Sequence, residues 1–244
     1  MPSRVTPLAA FARRPSLPSR GLASVQARRW HPGCVDGVVH GEVFASSREG
    51  GGAALALALA LDAMGAQAPD PVADTPDQRA WLWVQDAQAL RLTGRPYRPG
   101  LPPALRHRLI HVAAQTPEDA LFALEEGLRC RDLAFVIGEI AGNPRALDFT
   151  ASRRLTLAAQ RHGVPLWLVR LDARRDLSSA RQRWEARPAP SPPPRWNPQA
   201  PGSAAWQAEL FRARSHPPGE WRLHEAEGRL VTGEGEGAAS HNRA

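Results

Sequence analysis

The chain has 244 residues, of which 43% are hydrophobic and 23% are charged, which suffices for one globular domain of ordinary size and some unstructured sequence. It has only two cysteines and no Cys-x-x-Cys motif, so a disulfide scaffold is excluded and a structural zinc site is not expected. The formal net charge is +7, which favours polyanions or acidic partners. All 31 basic residues are arginine, so chemistry that needs a lysine amine is excluded.

Composition divides the chain into five regions. We predict a basic, partly disordered arm over 1–35, an α/β core over 36–186, a Pro-rich loop over 187–202, a C-terminal β-hairpin over 203–232 and a disordered tail over 233–244. The acid-free, Arg-rich arm is also similar to an organellar transit peptide, but we favour an arm of a cytoplasmic protein. The longest apolar run, 53–61, is shorter than the ~20 residues of a membrane span, so no membrane contact is expected.

Apolar runs and turn signals predict strands and helices in alternation. In chain order, the predicted elements are a strand over 38–45, a helix over 53–64, strands over 81–85 and 108–113, a helix from 117, a strand over 133–140, a helix over 149–162 and a strand over 164–171. Thr116 is a good N-cap before Pro117, and Gly163 is a natural helix end. Two alternating runs, 206–214 and 220–225, predict a hairpin. The pattern indicates an α/β fold with a mostly parallel sheet flanked by helices and a C-terminal β-hairpin.

The turn after the first predicted strand is similar to a phosphate-binding loop. That loop has the pattern G-x-x-x-x-G-K-[ST], in which backbone N–H groups and the lysine hold phosphate and the hydroxyl holds Mg²⁺. Here Ala45 replaces the first glycine, Gly51 replaces the lysine and Gly52 replaces the Ser/Thr. The full stretch is Ala45, Ser46, Ser47, Arg48, Glu49, Gly50, Gly51 and Gly52. We therefore predict a degenerate phosphate loop, with no cofactor, no catalytic residue and no ATP hydrolysis.

The order and spacing of seven segments between residues 33 and 232 carry a family resemblance. The segments are GEVFA, WLWVQD, RPYRPGL, RLIHVAAQTPEDALFALEEGL, LAFVIGEI, TASRRLTLAAQRHGVPLWLVR and AWQAELFRARSHPPGEWRL. Together they resemble the RecA-like fold and, more closely, the ImuA family of bacterial SOS-mutagenesis cassette proteins. The last segment looks like the Arg-rich hairpin that closes RecA-type cores.

The resemblance also implies positions for the acids of RecA-type ATP hydrolysis. The acid that ends the strand equivalent to LAFVI falls at Gly138, with Glu139 next to it. The catalytic glutamate falls at Ala87, with Asp86 beside it. A shift by one residue would restore either acid, so both alignments stay open. Together with the lost lysine, this implies a RecA relative that does not hydrolyse ATP.

The function implied by the resemblance is that of a non-catalytic adaptor in SOS-induced, error-prone translesion DNA synthesis. Its implied partners are a Y-family-like mutagenesis protein and an error-prone C-family DNA polymerase, with RecA or a second copy of the chain as further candidates. The implied location is the bacterial cytoplasm, at the nucleoid when engaged. Two alternatives stay open: a cell-division inhibitor similar to SulA, and a residual ATP- or DNA-dependent RecA-family protein.

Late tryptophans and arginines are candidates for contacts with a partner or with DNA. The candidate contacts are Trp206, Trp221, Arg174, Arg175, Arg212 and Arg214, and the basic ridge after the fifth strand also holds Arg181, Arg183 and Arg187. Trp and Arg are favoured interface anchors, and clustered Arg side chains bind phosphates weakly and without sequence preference. Core packing of the tryptophans and ion pairing of the arginines are the alternatives. No histidine spacing predicts a metal site.

Overall fold

The computed structural model describes residues 28–34, 37, 40–66, 77–226 and 228–233. The predictions of an arm and a tail fall mostly on residues 1–27 and 234–244, which lie outside the described residues. The strands are β1 His40–Ala45, β2 Ala80–Gln85, β3 Leu109–Ala113, β4 Leu133–Ala141, β5 Leu166–Leu171, β6 Gln182–Pro188, β7 Ala205–Ala213, β8 Gly219–Ala226 and β9 Arg229–Thr232. The helices are α1 Gly51–Ala66, α2 Ala87–Thr93, α3 Pro103–Arg106, α4 Pro117–Arg129 and α5 Phe149–His162, and a 3-10 turn spans Arg98–Gly100.

The nine described strands form one sheet in the order β3-β2-β4-β5-β1-β6-β7-β8-β9. The pairs from β3 to β6 are parallel, and those from β6 to β9 are antiparallel. Helix α1 packs on one face of the sheet, and α4 and α5 pack on the other. This confirms the predicted α/β class, with a mostly parallel sheet flanked by helices and antiparallel strands at the C-terminal end.

The capping signals place the start of α4 and the end of α5 correctly, whereas α1 is longer at both ends than the predicted helix over 53–64. The Thr116 hydroxyl accepts a hydrogen bond from the Asp119 N–H at 3.1 Å and Pro117 is the first residue of α4. Asp148 caps α5 in the same way, through the Ala151 N–H at 2.7 Å. Helix α5 ends at Gly163, whose φ of 75° is in the left-handed region that glycine adopts without a Cβ clash.

Residues 172–181, here called the crossover loop, connect β5 to the parallel strand β6 without a helix. The loop runs back along β1 and bonds to it at both ends and in the middle. The Ser47 N–H donates to Asp172 beyond the end of β1, Ser178 donates to Glu42 at 2.7 Å, and the Arg181 N–H donates to the His40 carbonyl at 2.8 Å. The crossover therefore passes over β1 and delivers β6 to the far side of it.

Strand β6 was not predicted, because charged residues occupy the face that the crossover loop partly covers. The sequence placed Arg183 in an exposed basic ridge, and this is wrong, since the side chain is 3% exposed. Its guanidinium donates to Glu42 at 2.6 Å. Arg170 and Asp176 complete this buried network with an ion pair at 3.2 Å. The predicted end of the core at residue 186 also moves, since β6 continues to Pro188.

The C-terminal strands and the end of the predicted arm share one tryptophan cluster. Strands β7 and β8 form the predicted hairpin, and β9 adds a third antiparallel strand that was not predicted. The Trp30 ring lies 4.6 Å from the Trp184 ring and 5.4 Å from the Trp221 ring, measured between centroids. Residues 28–34, which the sequence assigned to the arm, therefore lie against the core.

Candidate functional site at the Gly-rich turn

The Gly-rich turn, residues 45–52, lies at the carboxyl end of β1, the middle strand of the nine-stranded sheet. Strand β1 ends at Ala45 and α1 begins at Gly51. In open parallel sheets, the crevice at the carboxyl ends of the strands is the usual place for a ligand. The predicted strand–turn–helix arrangement is therefore present, and the groups around the turn decide what it can hold.

Several backbone N–H groups of the turn already have partners within the chain. The Ser47 N–H donates to the Asp172 carboxylate at 2.9 Å. The Arg48 N–H donates to the Ser46 hydroxyl at 3.2 Å, and the Glu49 N–H donates to the Ser46 carbonyl at 3.2 Å. Because a phosphate is held by such N–H groups, a phosphate at this turn would have to compete with these bonds.

Asp172 brings a negative charge to the turn from the first position of the crossover loop. Its φ of 50° is in the left-handed region, where Asp is one of the few residues other than glycine that occur. Hydrogen bonds from the Ser47 side chain and backbone, with the nearby Arg48 charge, lower the pKa of this carboxyl below its ordinary value. The group is therefore ionised at neutral pH and repels a polyphosphate.

Of the two glycines that replace the lysine and the hydroxyl, Gly52 is packed closely and Gly51 makes only ordinary contacts. A Cβ on Gly52 would lie 2.6 Å from the Ala45 Cβ and 3.1 Å from Val169. A Cβ on Gly51 would lie 3.5 Å from the Trp206 ring. The position of the missing magnesium-binding hydroxyl thus has no room for a side chain unless the strand and helix move apart.

A cavity of about 400 Å³ adjoins the turn and carries mixed charge. Carboxylates of Glu49, Asp172 and Glu185 line it together with the guanidinium groups of Arg175 and Arg187. Arg175 forms ion pairs with Glu185 and with Glu209, and Arg187 donates to Glu185 at 2.8 Å. The arginines are thus paired with protein carboxylates, and the lining is not that of a phosphate pocket.

The acids that the resemblance placed near the lost catalytic positions have structural partners. Asp86 is 1% exposed and caps α2, accepting from the Ala89 N–H at 2.6 Å and from the Ala141 N–H at 3.2 Å. The residue after it, Ala87, begins α2. Gly138 lies on the opposite side of β4 from Glu139, and a Cβ there would lie 2.9 Å from Leu168.

Glu139 is the second buried acid, and it is held by neutral donors. It accepts from Trp83 Nε1 at 2.7 Å, from the Thr93 hydroxyl at 3.0 Å and from Gln85 Nε2 at 3.3 Å. Burial raises the pKa of Glu139 above its ordinary value, and these hydrogen bonds act in the opposite direction. This side chain joins β2, α2 and β4 at the carboxyl end of the sheet.

The candidate contact residues do not come together on one surface. Trp206 and Trp221 are 2% and 5% exposed, so the prediction of accessible anchors at these positions is corrected to core packing. Their alternation with Ala208, Leu210 and Leu223, all buried on the same face, was the signal for this.

The candidate arginines lie in two segments of the chain. Arg174 and Arg175 lie in the crossover loop near the carboxyl end of β5, where Asn143 bonds to the Arg174 backbone. Arg212 lies in β7 opposite Arg183 of β6, and Arg214 follows the end of β7. All four are exposed, and the Arg175 guanidinium lies over the ring of Phe211, which precedes Arg212 in β7.

Comparisons with known proteins give no family for this chain. It matches no protein-family model, and no curated protein matches it. Within the described ranges, no cluster of His, Cys, Asp and Glu side chains could hold a metal ion. No helix in the part of the chain that the structure describes is long and apolar enough to cross a membrane.

Proposed function

We propose that this chain is a RecA-like protein with a degenerate phosphate loop, acting as a non-catalytic adaptor in SOS-induced, error-prone translesion DNA synthesis. In this proposal it holds a Y-family-like mutagenesis protein and an error-prone C-family DNA polymerase together in the bacterial cytoplasm. The observation that carries the non-catalytic part is the hydrogen bond from the Ser47 N–H to the Asp172 carboxylate.

The Gly-rich turn supports the proposal through what replaces the nucleotide-binding groups. Asp172 places a carboxylate against the turn, and Gly52 leaves no space for a magnesium-binding hydroxyl. The chain also has no lysine that could reach an outer phosphate. Tight binding of a magnesium nucleotide needs the lysine, the hydroxyl and free N–H groups together, so this turn is a poor site for it.

The fold supports the proposal through the family resemblance. The resemblance implies a parallel core closed by an Arg-rich antiparallel hairpin, and both features occur in the order expected. Asp86 and Glu139 both hold α2 and the ends of the strands in place. Because the two acids have this structural use, we interpret the core as a support for binding surfaces rather than for catalysis. An adaptor needs such surfaces and a stable core, and it needs no reaction centre.

The test is affinity purification of the tagged full-length chain from host cells, with and without DNA damage. We expect both polymerase-type proteins to be enriched after damage and to remain bound after nuclease treatment, which removes bridging DNA. Recovery of neither protein would overturn the adaptor proposal. Recovery of the tubulin-like division protein instead would favour the SulA-like alternative, in which the same core has a different partner.

A residual nucleotide function is tested separately with the purified chain. Arg48 is the exposed cation within the turn, so it is the side chain that would attract a nucleotide. Binding of an ATP analogue that is abolished in Arg48→Ala would favour the residual RecA-family alternative over the adaptor.

A further inference from the structure

The loop between β6 and β7, residues 189–204, is held firmly at its base. The Ala189 N–H donates to the Ala205 carbonyl at 3.0 Å, and Arg222 on β8 donates to the Pro190 carbonyl at 2.9 Å. Farther out, Gly202 packs against the Pro192 carbonyl so closely that a Cβ would not fit. The loop is therefore a positioned feature of the β6–β7 connection rather than a free linker.

The part of this loop that projects from the base exposes apolar side chains. Pro190, Pro192, Pro193 and Arg195 are exposed, with neither helix nor strand between them. Trp196 is 81% exposed, more than any other large hydrophobic side chain of the described residues. The other described tryptophans of the chain are buried. Trp196 is thus the described tryptophan whose ring is available for contact with another molecule.

A turn that follows Trp196 constrains the backbone next to the exposed ring. The Asn197 side chain accepts from the Gln199 N–H at 3.0 Å, and the Asn197 carbonyl accepts from the Ala200 N–H at 3.0 Å. These bonds form a local Asn-centred turn of the kind that stabilises tight reversals. The ring is thus presented from a constrained backbone, which reduces the entropy lost on binding.

The spacing of the prolines predicts the backbone conformation of the segment that precedes the ring. Proline fixes φ near −65°, and a residue before proline is pushed toward extended conformations. Residues 190–195 read Pro-Ser-Pro-Pro-Pro-Arg, so almost every position is restricted toward polyproline II. The chain has a Pro-x-x-Pro-x-Arg arrangement here, with Pro190 and Pro193 three residues apart and Arg195 two residues farther on.

We propose that residues 190–196 are a preformed docking segment for a partner protein with an aromatic-lined groove and an acidic rim. Pro190 and Pro193 would enter neighbouring apolar slots of the groove, as in other complexes of Pro-rich segments. Arg195 would pair with a carboxylate on the rim, and Trp196 would fill an adjoining pocket as the main anchor. The proposal deepens the proposed adaptor function, on which it rests, because it names the surface that holds one of the partners.

Charge favours a protein partner over a nucleic acid. Residues 187–202 carry two arginines and no acid, which suits an acidic rim. A nucleic acid would find a single exposed aromatic ring here, Trp196, whereas a stacking platform for single strands normally has several.

The experiment places a photo-crosslinking amino acid at position 196 of the full-length tagged chain, expressed in damaged host cells. A second chain carries it at Tyr97, which is 75% exposed on another part of the surface and serves as the matched control. We expect one protein to be cross-linked from position 196 and not from position 97, at a site rich in aromatic residues and carboxylates. In chains that also carry Pro190→Ala and Pro193→Ala, or Arg195→Glu, we expect the cross-link yield to fall about tenfold or more.

Three outcomes would overturn the docking proposal: cross-links only within the chain itself or to nucleic acid, a yield no higher than from position 97, or a yield that the proline and Arg195 substitutions leave unchanged. Circular dichroism of each variant checks that the fold is retained.

The docking proposal and the adaptor proposal can fail independently of each other. If Trp196→Ala leaves both polymerase-type proteins bound, the docking segment is wrong and the adaptor stands. If a groove-containing protein is cross-linked but neither polymerase-type protein is recovered, the docking segment stands and the adaptor is wrong.

Discussion

Ser47 and Asp172 are 125 residues apart in the chain, and the backbone N–H of Ser47 donates to the Asp172 carboxylate at 2.9 Å. This bond joins the turn after β1 to the crossover loop after β5. It places a protein anion beside a turn whose sequence is similar to a phosphate-binding loop. The Asp172 carboxylate therefore carries the same sign of charge as a phosphate, which is the ligand that such a turn would otherwise attract.

The first prediction concerns close packing at the turn. We expect Gly52→Ala to lower the free energy of unfolding by about 1–3 kcal/mol, because the added methyl would lie 2.6 Å from the Ala45 Cβ. Gly50→Ala is the matched control, since an added Cβ there meets nothing within 4 Å. Urea denaturation measures both, and equal stability of the two variants would contradict the close packing.

The second prediction concerns the buried charges beneath the crossover loop. Glu42→Gln removes the carboxylate that faces Arg183 at 2.6 Å and leaves the buried guanidinium with Asp176, at 3.6 Å, as its counter-charge. We expect a loss of about 3–5 kcal/mol in the free energy of unfolding. Arg129→Gln removes an exposed guanidinium that pairs with Glu125 and Glu126 on α4 and should cost under about 1 kcal/mol. A loss of the same small size in Glu42→Gln would show that the network contributes little.

The third prediction concerns acid stability. Burial lowers the pKa of His40 from 6.5 to about 4, with Arg183 adding to this effect and Glu42 opposing it. Since the pKa in the fold lies below that in the unfolded chain, the stabilisation is present above about pH 6.5 and is lost as the pH falls toward 4. Protonating this buried ring costs of the order of 3 kcal/mol.

The corresponding measurement is urea denaturation at several pH values between about 7 and 4, in wild type and in His40→Gln. The variant can still bond to Thr156, which lies 2.7 Å from the His40 ring, but it cannot titrate. We expect it to lose stability less steeply over this range than the wild type does. His107→Gln, which changes an exposed histidine, is the control and should keep the wild-type slope. Identical slopes in all three proteins would contradict the assignment to His40.

The fourth prediction concerns the end of the predicted arm. Trp30 is 3% exposed and packs edge-on against Trp184 and Trp221. We expect Trp30→Ala to cost about 3–5 kcal/mol of unfolding free energy. Trp196→Ala removes a ring that is 81% exposed and should leave thermal stability unchanged. A stable Trp30→Ala variant would mean that residues 28–34 are not part of the core.

Local signals predicted the parts of the fold that local interactions determine. The N-cap Thr116 and the left-handed Gly163 fix helix ends through bonds within a few residues, so the start of α4 and the end of α5 were placed closely. The continuous apolar run of β4 is likewise a property of the strand itself, since both of its faces are buried.

Long-range interactions determine what the sequence did not predict. Strand β6 has charged residues at alternate positions, and only the pairing of Arg183 with Glu42, 141 residues away, makes that face suitable for burial. Helix α2 was missed because its cap, Asp86, was interpreted through the family resemblance rather than as a helix start. The Gly-rich turn was located from its pattern. The carboxylate that occupies the Ser47 N–H comes from Asp172, and no local pattern connects that residue to the turn.

The most direct test of the account is titration of the purified full-length chain with a fluorescent ATP analogue and Mg²⁺. We predict no saturable binding at concentrations up to ~1 mM, where a site with a Kd of ~1 μM would be fully occupied. We predict the same result for Asp172→Ala, because removing the carboxylate restores neither the lysine nor the hydroxyl. If the wild type binds the analogue saturably and Arg48→Ala weakens that binding, the turn does hold a nucleotide. This result would contradict the account and favour a nucleotide-dependent protein.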